Sequence, residues 1–159
     1  MTIDPDSFRS VLGRSASGIT VVTTRDAEQR DVGMTVSAFC SVSLDPPLVQ
    51  VCVDHAASLY AALVVSTHYG VSILAAEQEA LSRRFATAES TRRFDGIGYR
   101  RGESGVLLLD DALAHLECRI AASHDTGDHT MFVGEVESAS ARSARPLLYY
   151  RGGYAQLER

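Results

Sequence analysis

The chain has 159 residues, 45% of them hydrophobic and 22% charged, which suits a single domain able to bury about two thirds of its unfolded surface without a disulfide or structural metal. Fifteen basic residues against twenty acidic ones leave a net charge of −5, which argues against nucleic acid or an anionic membrane as the main partner. Every lysine-or-arginine position is arginine, so lysine Schiff-base chemistry and a Walker-type phosphate loop are both excluded.

Asp4 ahead of Pro5 supplies a helix cap and a first helical residue, and Phe8, Val11 and Leu12 recur at helical spacing up to Gly13; a short N-terminal helix is predicted. β-Branched runs at Ile19–Thr24, Val32–Ala38 and Leu48–Val53 predict strands, the first two separated by the polar segment Arg25–Asp31. Pro46-Pro47 cannot lie inside a central strand and marks the entry to the third. Ser58 precedes Leu59, Ala62, Leu63 and Val64, a short helix with a hydroxyl near its first turn. Val71–Leu74 is a further strand, and Glu77–Ala86, with Leu81 and Phe85 four apart, an amphipathic helix.

Thr87–Glu103 mixes Arg92, Arg93, Arg100 and Arg101 with Gly96, Gly98 and Gly102, the composition of an exposed loop or lid. Ala112–Ala121 and Met131–Ser138 flank the turn-rich Ser123–Asp128 as two antiparallel neighbours would. Pro146–Tyr150 and Tyr154–Leu157 close the chain about a Gly152-Gly153 turn. Many strands with a few inserted helices favour a mainly β architecture, an antiparallel barrel in one domain over 1–159, above a doubly wound parallel sheet.

Leu59–Val65 and the other apolar stretches fall far short of the roughly 20 residues that span a bilayer. The N-terminus, MTIDPDSFRS, has acidic residues where a secretory signal carries positive charge, so the expected compartment is the cytoplasm, with no membrane contact. Cys40, Cys52 and Cys118 are odd in number and lack CxxC spacing, as reduced and mostly buried thiols would. His55, His68, His115 and His124 share no ligand spacing with one another or with a cysteine, and no metal site is expected.

Three segments carry candidate chemistry. In the first, Thr35 and Ser37 are two apart and share one side of an extended chain, with Val36 and Ala38 on the other; Ser41 and Ser43 repeat the pairing about Val42. Such a row of hydroxyls and amides can hydrogen-bond a flat polar heterocycle and its ribityl chain, and equally forms the wetted face of a barrel strand. In the second, Ser58 at a helix start, together with Arg83-Arg84-Phe85, combines amides, helix dipole and cation as a phosphate site requires, although an ordinary cap and a solvated face have the same pattern. In the third, His129 within Gly127-Asp128-His129-Thr130 stands at a strand start, where it can orient a nicotinamide, donate to a flavin or meet a pyrophosphate, or simply be exposed. There is no GxSxG elbow, no GxGxxG opening a helix, and no HExxH.

Taken in order, FRSVLGRSASGITVV, GMTVSAFCSVSLDPPLVQVCVD, LSRRFA, GDHTMFVGEV and PLLYYRGGYAQL resemble the short-chain flavin reductase family, and they cover nearly the whole chain. The resemblance implies an antiparallel Greek-key split β-barrel of the FMN-binding type. It implies hydride transfer from NADH or NADPH to FMN or FAD, and supply of reduced flavin to a partner monooxygenase. It places Thr35, Val36, Ser37 and Ala38 against the isoalloxazine ring, and Ser41, Val42 and Ser43 near the ribityl chain. Ser58, Arg84 and Phe85 fall near the phosphate, His129 near flavin and nicotinamide as the catalytic positioning residue, and Tyr154 at the edge of the site. A homodimer shaping both flavin sites is implied as well. Two other activities suit the same barrel, a flavin store or sensor without turnover and an oxidase that holds FMN tightly. Flavin-dependent consumption of NAD(P)H, and a nearly colourless purified protein, separate the reductase from both.

Overall fold

A computed structural model of the chain describes residues 2–158. Helix α1 spans Pro5–Leu12; the Asp4 side chain caps it by accepting from the amides of Asp6 and Ser7, and Gly13 closes it. Strands β1 (Ser17–Gly18), β2 (Thr20–Arg25), β3 (Asp31–Val36), β4 (Phe39–Leu44) and β5 (Pro47–Asp54) follow, then helix α2 (Ser58–Val65) and strand β6 (His68–Ile73). A 3-10 turn at Ala76–Gln78 leads into helix α3 (Glu79–Thr87), and a second, Ser90–Arg92, precedes β7 (Tyr99–Arg101) and β8 (Leu107–Leu109). The chain closes with the long strands β9 (Ala114–Thr126) and β10 (His129–Ala141) and the short hairpin β11 (Leu147–Tyr150) and β12 (Gly153–Gln156).

The protein is mainly β and its strand pairs are antiparallel, as expected. Seven strands form the principal sheet in the order β3-β2-β6-β9-β10-β5-β4, flanked by the three-stranded β1-β11-β12 and the pair β7-β8. β3 and β4 stand at opposite ends of that order, yet only Ser37 and Ala38 join them. The three steps from Val36 to Phe39 span roughly 10 Å at full extension, so the sheet must curl to bring these two strand ends together at this corner.

That curl creates two cores. Inside it, Val22, Val36, Val49, Val51, Val53, Tyr69, Val71 and Phe132 pack around Leu59 and Leu63 of α2. Behind β2, Ile19 and Val21 pack with Leu74, Leu109, Leu147 and Phe85 of α3. β2 is therefore covered on both faces, which is why its sequence reads as an unbroken apolar and threonine run. The buried threonines are satisfied locally: Thr20 donates to the Val36 carbonyl at 2.7 Å and Thr23 to that of Leu107 at 2.5 Å.

Three expectations are corrected. Val32–Ala38 ends as a strand at Val36, and Phe39–Leu44 forms a separate strand, β4. Ser123–Thr126 is not part of a turn; the two long strands run on until Gly127 and Asp128 alone connect them, with Gly127 at φ +66°. The segment 87–103 is no free lid: Arg93 is buried, Phe94 stacks edge-on with Phe85 at 5.1 Å, and Arg101 pairs with Asp31 through two hydrogen bonds of 3.0 and 2.9 Å. Of the three free thiols only Cys118 is fully buried, and Cys40 is exposed on β4.

Candidate functional site

The corner joining β3 to β4 gathers most of the expected residues. Ser37 and Ala38 are exposed there, and the Ala38 carbonyl accepts from the Cys52 amide of β5 at 3.0 Å. Two residues further along β5, about 7 Å in an extended strand, Asp54 lies opposite His129. The first residue of α2, Ser58, follows four positions later. The curl of the sheet thus brings the hydroxyl segment, the helix start and the histidine turn to one end of the molecule.

The hydroxyl rows divide into different roles. Thr35 donates to the Ser82 carbonyl of α3 at 2.6 Å, and the Val36 side chain is in the core. These two residues fix the strand and leave Ser37 and Ala38 as the accessible pair. On β4 the pairing with β5 slips between Ser41 and Ser43, so that Val42 is the extra residue of a bulge and is 51% exposed. The simple alternation of Ser41 with Ser43 is broken by that bulge. Because β4 is an end strand of the principal sheet, half of its amides and carbonyls remain available to a ligand.

Beside Ser58 the cation is Arg93, which the sequence pattern did not single out. Its Nη1 donates to the Gly33 carbonyl at 2.8 Å and lies 3.5 Å from Ser58 Oγ, while Nε donates to the Ala88 carbonyl at 3.1 Å. Burial pushes the Arg93 guanidinium below its ordinary value, yet arginine keeps its charge. Among the described residues no carboxylate pairs with it, and α2 has no side-chain cap at its N-terminus. A buried cation and free helix amides are what an anion requires. Arg84 instead donates to the carbonyls of Arg92 and Asp95 at 3.1 and 2.5 Å, clamping this loop. Phe85 is fully buried and supports β3 from behind: a Cβ on Gly33 would meet the Phe85 and Phe94 rings at 2.9 Å.

His129 is half-exposed and its Nδ1 lies 2.7 Å from an Asp128 carboxylate oxygen. A carboxylate only accepts, so Nδ1 carries the proton; Nε2 has no hydrogen-bond partner among the described residues. The hydrogen bond and charge of His129 hold the Asp128 carboxyl below its ordinary value. His55 braces the turn, with its amide donating to the Asp128 carbonyl at 3.0 Å and its Nε2 2.9 Å from Thr130 Oγ1, which donates to Asp125 at 2.6 Å. Tyr154 lies at the α3 side of the site, its hydroxyl 2.8 Å from Ser82 Oγ and its ring 4.7 Å beneath the Arg83 guanidinium.

The family model for the flavin reductase like domain matches residues 12–158. An NADH-dependent flavin reductase from a Rhodococcus species is 44% identical over 158 residues, covering 98% of this chain and 88% of that protein. An NADH-dependent FMN reductase from Agrobacterium fabrum is 42% identical over 153 residues, covering 96% of this chain and 86% of that protein. The solved structure of a Streptomyces globisporus NADH:FAD oxidoreductase in complex with NAD and FAD fragments superposes with a TM-score of 0.91 at 37% identity, covering 99% of this chain and 96% of that one.

Proposed function

The chain belongs to the flavin reductase-like family, and we infer that it transfers a hydride from NAD(P)H to FMN or FAD and supplies the reduced flavin to a partner monooxygenase. Relatives are NADH-dependent flavin reductases, and several are reductase subunits of flavin-dependent monooxygenases, including one from Mycobacterium tuberculosis 40% identical over 159 residues. The structural observation that carries this reading is the buried, carboxylate-free Arg93 beside Ser58 and the uncapped start of α2. The described residues fit a flavin phosphate there, with an open hydroxyl and amide corner above it.

A bound flavin would supply the hydride-accepting chemistry. The protein supplies position. Ser58 and Arg93 hold the phosphate, with Arg84 and Phe85 fixing the loop and strand that carry them. Ser37, Ala38 and the backbone of Thr35 and Val36 line the ring, while Ser41, Val42 and Ser43 on the open edge of β4 meet the ribityl chain. His129, held by Asp128, orients the nicotinamide through Nε2, and Tyr154 bounds the site. No residue need exchange a proton during hydride transfer, so orientation and exclusion of water account for the rate.

The curled seven-stranded sheet is the basis for assigning the Greek-key split barrel, and the 12–158 match for treating 1–159 as one domain, of which Met1 and Arg159 lie outside the described residues. Phe8, Val11 and Leu12 of α1 and Val42 and Leu44 of β4 are exposed apolar side chains; this supports a homodimer that covers them. No described helix is long and apolar enough to cross a membrane, and we assign the enzyme to the cytoplasm. NADH oxidation with and without added flavin tests the activity, and sedimentation tests the dimer.

A further inference from the structure

The tip of the β9–β10 hairpin carries His129, yet residues 123–128 leading into it are all exposed, so core packing does not fix the turn. The hold comes one residue beyond the histidine. Successive side chains of a strand point to opposite faces, so Thr130 points inward where His129 points outward, and Thr130 is only 3% exposed. Its Oγ1 meets two groups, Asp125 Oδ1 at 2.6 Å and His55 Nε2 at 2.9 Å. A hydroxyl has one proton to give and a carboxylate only accepts. The Thr130 proton therefore goes to Asp125, and His55 donates to Thr130 from Nε2. This ordered chain crosses the hairpin, because Asp125 stands opposite Thr130 on β9.

His55 is itself anchored, its ring 4.8 Å from that of Tyr60 on α2. Its amide donates to the Asp128 carbonyl at 3.0 Å. His55 thus grips Asp128 by backbone and Thr130 by side chain, the two chain neighbours of His129. With both neighbours held, the bond from His129 Nδ1 to the Asp128 carboxylate at 2.7 Å sets the ring in one direction.

We propose that Thr130 is a positioning residue for hydride transfer: ordered between His55 and Asp125, it sets the direction in which His129 presents Nε2 to the nicotinamide. The proposal rests on the assignment of His129 to the nicotinamide. What it requires at position 130 is a hydroxyl, and Thr130→Val isolates that requirement, since valine matches threonine in shape and lacks the hydroxyl.

The test is steady-state kinetics in NADH at saturating FMN, with FMN affinity from fluorescence titration of the same preparations. Thr130→Val should raise the KM for NADH about threefold or more and leave kcat and the FMN Kd within about twofold of wild type. Thr130→Ser keeps the hydroxyl and should hold the KM within about twofold of wild type. His129→Ala completes a double-mutant cycle. Because Thr130 acts through His129, adding Thr130→Val to His129→Ala should raise the KM no further, whereas independent effects multiply. Should Thr130→Val fail to fold, His55→Phe keeps a ring beside Tyr60, removes the Nε2 donor from a side chain that is 38% exposed, and takes its place in the same cycle.

An unchanged KM in Thr130→Val overturns the proposal. So does a loss of FMN affinity in step with the rise in KM, which is a general disturbance of the fold, and so does multiplication of the two effects in the double variant. An unchanged KM in His129→Ala is a distinct result: it refutes the assignment of His129 and removes the premise.

Discussion

Replacing Arg93 with methionine keeps most of the aliphatic stem and removes the charge. In the folded protein this deletes the hydrogen bonds to the Gly33 and Ala88 carbonyls, each worth about 1.5–3 kcal/mol for a charged donor. The change also relieves the cost of burying a guanidinium that no carboxylate neutralises, which offsets much of that loss. A net destabilisation of about 1–2 kcal/mol in urea unfolding is expected. The effect on ligands is more selective. A flavin phosphate at Ser58 loses one charge-assisted contact of about 1.5–3 kcal/mol, so FMN affinity should fall roughly 10- to 150-fold. Riboflavin has no phosphate, and its affinity should stay within about twofold of wild type. Fluorescence titration of both flavins against one preparation, with urea unfolding as the fold control, measures the ratio directly. The same loss for riboflavin as for FMN would show that Arg93 only props up Gly33, and would refute the phosphate assignment.

His129→Ala should raise the KM for NADH several-fold while lowering kcat less, because the imidazole is assigned to positioning; steady-state kinetics with an unchanged KM would remove it from the site. Phe85→Ala empties a fully buried position against Phe94 and should cost about 3–5 kcal/mol in thermal or urea unfolding; a loss below about 1 kcal/mol would contradict the packing behind β3. The pH response of Glu117 follows from its surroundings. Burial raises its carboxyl, but hydrogen bonds from the Ser104 hydroxyl and amide and the Glu103 amide outweigh that and hold it below the ordinary 4.5. A carboxylate lowered in the folded state stabilises above the unfolded value and loses that contribution as pH falls through the folded one. The stability gap between wild type and Glu117→Gln should therefore be largest at neutral pH and shrink below about pH 4.5; a gap independent of pH would contradict the ionised clamp.

Local rules made several elements legible. Asp4 and Pro5 specify the start of α1 by cap and fixed φ, and Gly152 at φ +79° marks the closing hairpin turn. β4 was hidden because Val42 sits in a bulge and the serines on either side suppress the apolar alternation that announces a strand. Ser123–Thr126 has the composition of a turn but pairs with β10 as a polar hairpin extension, where ladder hydrogen bonds override propensity. At the site, Ser58 and His129 were visible as a helix start and a strand start. The arginine could not be chosen: Arg92 has a 74% exposed side chain near Asp95, and its neighbour Arg93 is buried. Nothing local distinguishes the two, because the difference arises from the Gly33 carbonyl 60 residues away in the chain. Phe85, expected near the phosphate, serves it indirectly, since the helical spacing of Leu81 and Phe85 reports a core face rather than a ligand contact.

The most direct measurement is the fall in nicotinamide absorbance when purified protein is mixed in air with NADH, and separately NADPH, in the absence and presence of FMN, FAD or riboflavin. Rapid oxidation that depends on added flavin is the expected result. Flavin binding without any turnover of either nicotinamide would contradict the reductase and leave a protein that stores or senses flavin.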